Sequence, residues 1–127
     1  MHMTKRIEDL LKSSRNFGYR DQIFRASLSI CNNIAEGYDM PTKAHRLKYL
    51  WIAKGSNNEV RSMLHYAKLQ GYFPEGEAEK LLHTTDEVNR LVRTYINDMS
   101  GNWGRVPGAV ALVLLWANLT LPSAHAA

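Results

Sequence analysis

Apolar residues recur at intervals of three and four along most of the chain, the period of an amphipathic helix. Four such segments can be read. A short first helix covers about residues 4–15, with Ile7, Leu10, Leu11 and Ser14 on one side, and Asn16, Phe17 and Gly18 end it. The second runs over about 19–36 and stops at Gly37, a natural residue for the left-handed position after a helix. Thr42 is a fitting N-cap for a long third helix over 42–70, closed by Gly71. After the turn "YFPEGE" a fourth helix covers about 75–99. No stretch alternates as a strand does. Short turns between long amphipathic helices predict an all-α fold, an up-down antiparallel four-helix bundle.

The faces of these helices differ in what they carry. On the second, Ile23, Ala26, Ser27, Ile30 and Ile34 form one apolar stripe, and Phe24, Leu28, Cys31 and Ala35 form another beside it. Together they span half the circumference or more, against the roughly 100° that a surface helix needs. Such width predicts either a deep position in the bundle or contact with a second subunit. The remaining line, Arg25, Ser29, Asn32 and Glu36, pairs most simply along its own helix, Arg25 with Ser29 and Asn32 with Glu36. On the third helix the predicted core face is Tyr49, Ile52, Ala53, Ser56, Val60, Met63, Leu64 and Ala67. Ser56 stands at its centre, small enough for another helix to approach. The fourth helix offers Ala78, Leu81, Thr85, Val88, Val92, Tyr95, Ile96 and Met99 for plain bundle packing.

Opposite the core face of the third helix, Lys43, Lys54, Arg61 and Lys68 align, with Asn57, Asn58 and His65 beside them. Lys54, Arg61 and Lys68 repeat every seven residues and so project one way, about 10 Å apart. This is either an ordinary solvated face or a phosphate-contacting stripe; the missing acidic residues at neighbouring i+4 positions favour the stripe. Leu47, Leu50 and Trp51 are also expected outside, at the N-terminal end of this helix, where they suggest a subunit contact.

Composition sharpens this picture in few places. The 127 residues carry a formal net charge of +4, and the excess is local. Residues 42–70 hold six basic side chains against Glu59 alone, whereas 74–98 hold three basic and six acidic ones. The single cysteine, Cys31, reads as a small buried apolar residue and gives no sign of an oxidising compartment. The opening "MHMTKRIEDLLKSS" has no apolar core of a signal peptide, so the cytoplasm is the expected location. Asp21, Glu36, Glu59 and Asp86 are scattered, no glycine-rich phosphate loop is present, and the five histidines lack metal-ligand spacing. The expectation is a protein that is not an enzyme and that uses neither cofactor nor metal.

The segments "YRDQIFRASLSICNNIAEGYDM" and "RLKYLWIAKGSNNEVRSMLHYAKLQGYF" resemble the 23S rRNA-intervening sequence family of four-helix bundle proteins. The match in order and spacing covers roughly residues 7–98 and rests on "DQIFRASLSI" leading into "NIAEG", on "IAKGSNNEVRSML" and on "LQGYF". The resemblance implies an up-down bundle, commonly a ring-like homopentamer, without a catalytic centre. Members are often encoded inside insertions in the large ribosomal RNA gene, which suggests RNA association. The accessory variability proteins of diversity-generating retroelements look similar in fold; they are basic pentamers that bind nucleic acid and a reverse transcriptase. Asn33, Glu36, Gly37, Ser56 and Glu59 are the signature positions the resemblance marks, and they look like packing and turn residues. By the same comparison the first helix is shortened, lacking two or three turns at its start.

The last residues depart from that pattern. Residues 1–99 form the bundle domain, and 100–127 form an atypical tail whose apolar run, 109–121, ends in "SAHA" and reads like a secretory signal in the wrong place. It is too short to span a bilayer comfortably. Two accounts stand: a fusion to a neighbouring reading frame, or a segment 110–121 that folds back onto the bundle.

Function is then expected to be non-enzymatic. A basic oligomer, a pentamer by the resemblance, would bind RNA or DNA through Lys43, Lys54, Arg61 and Lys68 with help from Arg20, and no membrane would be involved. The alternative is an adaptor oligomer whose partner is a protein such as a reverse transcriptase. Nothing along the chain looks like a base-reading helix or an aromatic stacking platform, so phosphate contacts should dominate.

Overall fold

The periodicity is realised as four α-helices in a computed structural model, which describes residues 2–12 and 15–101. They are α1 (His2–Leu11), α2 (Phe17–Asp39), α3 (Lys43–Gln70) and α4 (Glu77–Gly101), and there is no strand among the described residues. The chain runs up and down, so α3 lies antiparallel to both α2 and α4. Ion pairs and hydrogen bonds between the helices fix that order: Gln22 with Glu59, Arg6 with Glu77, Lys68 with Glu79. Ser14, and the tail beyond Gly101 with both accounts of it, lie outside the described residues; Ser100 and Gly101 still belong to α4.

Local chemistry sets the helix ends and moves three of them from their expected places. Asn16 does not close α1 but caps α2, its Oδ1 accepting from the Tyr19 backbone N–H at 3.0 Å. Thr42 caps α3 as expected, accepting from the His45 N–H, and Gly71 ends α3 at φ 66°. Gly76 takes φ 82°, which delays α4 to Glu77.

Gly37 is the third departure. It is helical and buried, two residues short of the end of α2. A Cβ there would stand 3.0 Å from the Tyr49 Cβ and 3.5 Å from the Arg46 carbonyl oxygen, so this glycine lets α3 pass close by. Ser56, expected at the centre of the core face, is half-buried at the edge of the α3 buried line. Its hydroxyl meets that of Ser29 at 2.8 Å across the α2–α3 seam, and Asn33 Nδ2 donates to the Ser29 hydroxyl at 3.0 Å. Ser29 therefore bonds between helices, not with Arg25, whose guanidinium pairs instead with Asp21 at 3.0 Å. Glu59 accepts from Gln22 at 3.2 Å, while Glu36 is exposed on α2.

One buried cluster joins all four helices. All eight residues expected on the inner face of α4 are buried, as is the first stripe of α2. The face of α3 is turned from its expected position. Its buried line is Leu50, Ala53, Asn57, Val60, Leu64 and Ala67, spaced by three and four in turn. Tyr49, Ser56 and Met63 are half-buried, and Ile52 is exposed. Leu50, expected outside, is 2% exposed, and Asn57, expected beside the basic stripe, is fully buried. Asn57 is admitted because its Nδ2 donates to the Thr85 carbonyl at 2.8 Å, although its Oδ1 has no protein partner.

Candidate nucleic-acid interface

Lys54, Arg61 and Lys68 run along the solvent-exposed rim of the seam between α3 and α4. Because the two helices are antiparallel and in register, their outward side chains meet as rungs. Lys68 Nζ sits 2.6 Å from Glu79, and Arg61 forms an ion pair with Asp86. One step further Asn89 Nδ2 donates to Asn58 Oδ1 at 3.0 Å. Each step back along α3 is matched by the same step forward along α4, and the next rung sets Lys54 opposite Arg93. Both line a surface groove of about 470 Å³, together with Arg61 and Arg90. The carboxamides Asn58 and Asn89 also line it, and Asp86 is the one carboxylate among its lining residues.

The charge along this seam therefore changes character. At the Lys68 end each cation has an acidic partner from α4, and the hydrogen bond from Lys68 holds the Glu79 carboxyl below the usual glutamate range. At the Lys54 end four cations share one anion. Among the described residues Lys54, Arg90 and Arg93 have no carboxylate within ion-pair distance. Clustered like charges without partners repel one another and leave N–H donors pointing to water. An anion with several oxygens, such as a phosphate, would relieve both conditions.

Of the residues expected at the site, Lys54 and Arg61 line this groove and Lys68 lies along the same seam. Lys43 does not join them: it is the first residue of α3, about 16 Å of helix from Lys54. Arg20 is elsewhere, on α2, with its guanidinium 5.5 Å from the centre of the Phe17 ring and Nη1 donating to the Lys12 carbonyl. Arg90 and Arg93 are the residues that sequence reasoning passed over. The signal was present in α4, where Glu77, Glu79, Asp86 and Glu87 precede Arg90 and Arg93, yet the helix as a whole counts as acidic.

No group of three or more His, Cys, Asp or Glu among the described residues could hold a metal ion. Cys31 is buried, and desolvation pushes its thiol pKa up, away from the thiolate form. No described helix is long and apolar enough to cross a membrane.

The class these features define is an all-α bundle with a cationic groove between its last two helices. Residues 1–94 match the model of the 23S rRNA-intervening sequence protein family, and the chain belongs to that family. No curated protein and no solved structure matches it.

Proposed function

We propose that this protein is a non-enzymatic, oligomeric nucleic-acid-binding bundle whose phosphate contacts are made in the α3–α4 groove. The observation that carries the reading is the run of cations at Lys54, Arg90 and Arg93, left without carboxylate partners beside an otherwise neutralised seam. The family's description, which names a ribosomal RNA, is in keeping with it. One groove offers few phosphate contacts, so useful affinity at physiological salt calls for several copies, a pentamer by family resemblance. The second stripe of α2 suits such assembly, since Phe24 and Leu28 stay half-buried and Ala35 is exposed. Leu47 and Leu50 no longer support it: Leu50 is buried and Leu47 packs partly against the core.

The test is binding of a labelled 20-nucleotide RNA, and of DNA of the same sequence, over a range of salt. The logarithm of affinity should fall linearly with the logarithm of salt, by about 0.7 to 0.9 for each neutralised phosphate. Absence of binding at low salt contradicts the proposal.

A second reading, an adaptor for a protein partner such as the reverse transcriptase of a retroelement, has its own support. At the end of the bundle where α2 begins and α3 stops, Phe17, Tyr66 and Leu69 are 69%, 47% and 84% exposed. Apolar side chains of that size left in water suit a protein surface.

A further inference from the structure

Trp51 is the large side chain next to the groove, and neither packing nor the phosphate contacts account for it. It lies on α3 one turn before Lys54, about 4.5 Å along the axis. Its neighbour Leu50 is buried in the core, yet Trp51 is 56% exposed. The Lys54 ammonium sits 5.7 Å from the centre of an indole ring, so the aromatic surface and a groove cation form one contiguous unit. The core does not require this residue, and the turn of α3 that buries Leu50 removes the apolar cluster in which Trp51 would have been one member. An exposed indole beside unpaired cations has the two parts of a single-strand site, a π-face for a base and positive charge for the adjoining backbone.

We infer that the ligand of the groove is single-stranded nucleic acid, or an unpaired loop, with one base stacked on Trp51 while its neighbouring phosphates lie on Lys54 and Arg93. The inference rests on the groove reading and adds a ligand class to it. Duplex nucleic acid presents phosphates to Lys54, Arg90 and Arg93 as well as a single strand does. Its bases are already stacked inside the helix and offer no face to an indole on the rim. Trp51 thus discriminates between strands that the cations treat alike.

The experiment measures affinity of the full chain for a labelled 20-nucleotide oligouridylate and for a 20-base-pair RNA duplex, in the parent, Trp51→Leu and Trp51→Phe. Leucine keeps apolar bulk and helix propensity without a π-face; phenylalanine keeps a smaller π-face. Trp51→Leu should weaken the single strand by about 5- to 150-fold, the range of one base–aromatic stack, and change duplex affinity less than twofold. Trp51→Phe should recover most of the loss. Equal losses on both ligands, or no loss on either, would overturn the inference, as would a lower oligomeric mass for Trp51→Leu, which would mean that a second copy covers the indole. If binding depends on Lys54, Arg90 and Arg93 but not on Trp51, only this inference falls. If the parent binds neither probe at low salt, the groove reading falls with it.

Discussion

Two glycines inside helices carry opposite demands. Gly37 is pressed against α3, with 3.0 Å to the Tyr49 Cβ from the position a side chain would take, whereas Gly55 on α3 has nothing within 4 Å. Gly55→Ala should therefore stabilise by about 0.5–1 kcal/mol, the difference in helix propensity. At about 4–8 °C per kcal/mol, that raises the thermal midpoint by several degrees. Gly37→Ala gains less from propensity, so near the end of α2, and must move two helices apart; its midpoint should fall. A rise for Gly37→Ala would mean that the α2–α3 seam is slack. Gly37 also shows where reading by residue type stops. Glycine after an apolar run fits a helix terminator, and only the position of Tyr49 on another helix reveals the close approach. Asn57 misleads for a related reason: its polarity places it outside, and the Thr85 carbonyl that receives its amide is 28 residues away.

At the scale of elements, α1 is the weak member. Ten residues do not hold a helix by themselves in water. It is held by Met3, Ile7 and Leu11, all buried, and by Arg6, whose Nη2 and Nε donate to Glu77 Oε2 at 2.7 and 3.1 Å. Ile7→Ala should cost about 2–5 kcal/mol and loosen α1 first, seen as faster amide exchange there. The Arg6 hydrogen bond holds the Glu77 carboxyl below the usual glutamate range, with a smaller lowering from Lys80. A depressed folded-state pKa stabilises above the unfolded value, about 4.3, and that contribution is lost as pH falls through the folded value. With the intrinsic pH dependence of exchange divided out, amide protection in α1 should thus fall between about pH 5 and 3, and Glu77→Gln should already lower it at pH 6 with less further change in acid. An unaltered pH profile in that variant would remove Arg6–Glu77 as the anchor. The four helices and the inner face of α4 were legible because their periodicity is uninterrupted. The face of α3 was only half legible, since it packs against α2 on one side and α4 on the other and so has no single polar side.

For the whole molecule the relevant quantity is where charge fails to cancel. Counting along the chain puts the excess on α3, and folding moves it: Arg61 and Lys68 meet Asp86 and Glu79, while Arg90 and Arg93 from the acidic helix join Lys54. The groove is thus a product of antiparallel register, which no single-helix pattern records. If copies assemble through α2, each brings one groove, and affinity should rise steeply with the number of copies. Light scattering at micromolar concentration should then give a mass several times 14.5 kDa, and a monomer that still binds tightly would separate assembly from binding. The central claim is that location of charge, not its amount, governs binding. The most direct measurement compares two variants with the same loss of three charges, Lys54→Gln/Arg90→Gln/Arg93→Gln and Arg20→Gln/Lys43→Gln/Lys68→Gln, in RNA binding over a range of salt. The first should flatten the slope of log affinity against log salt by about 2 for each groove engaged and weaken binding at every salt concentration, and the second should leave both near the parent's values. Equal losses in the two would contradict a groove and leave only a diffuse basic surface.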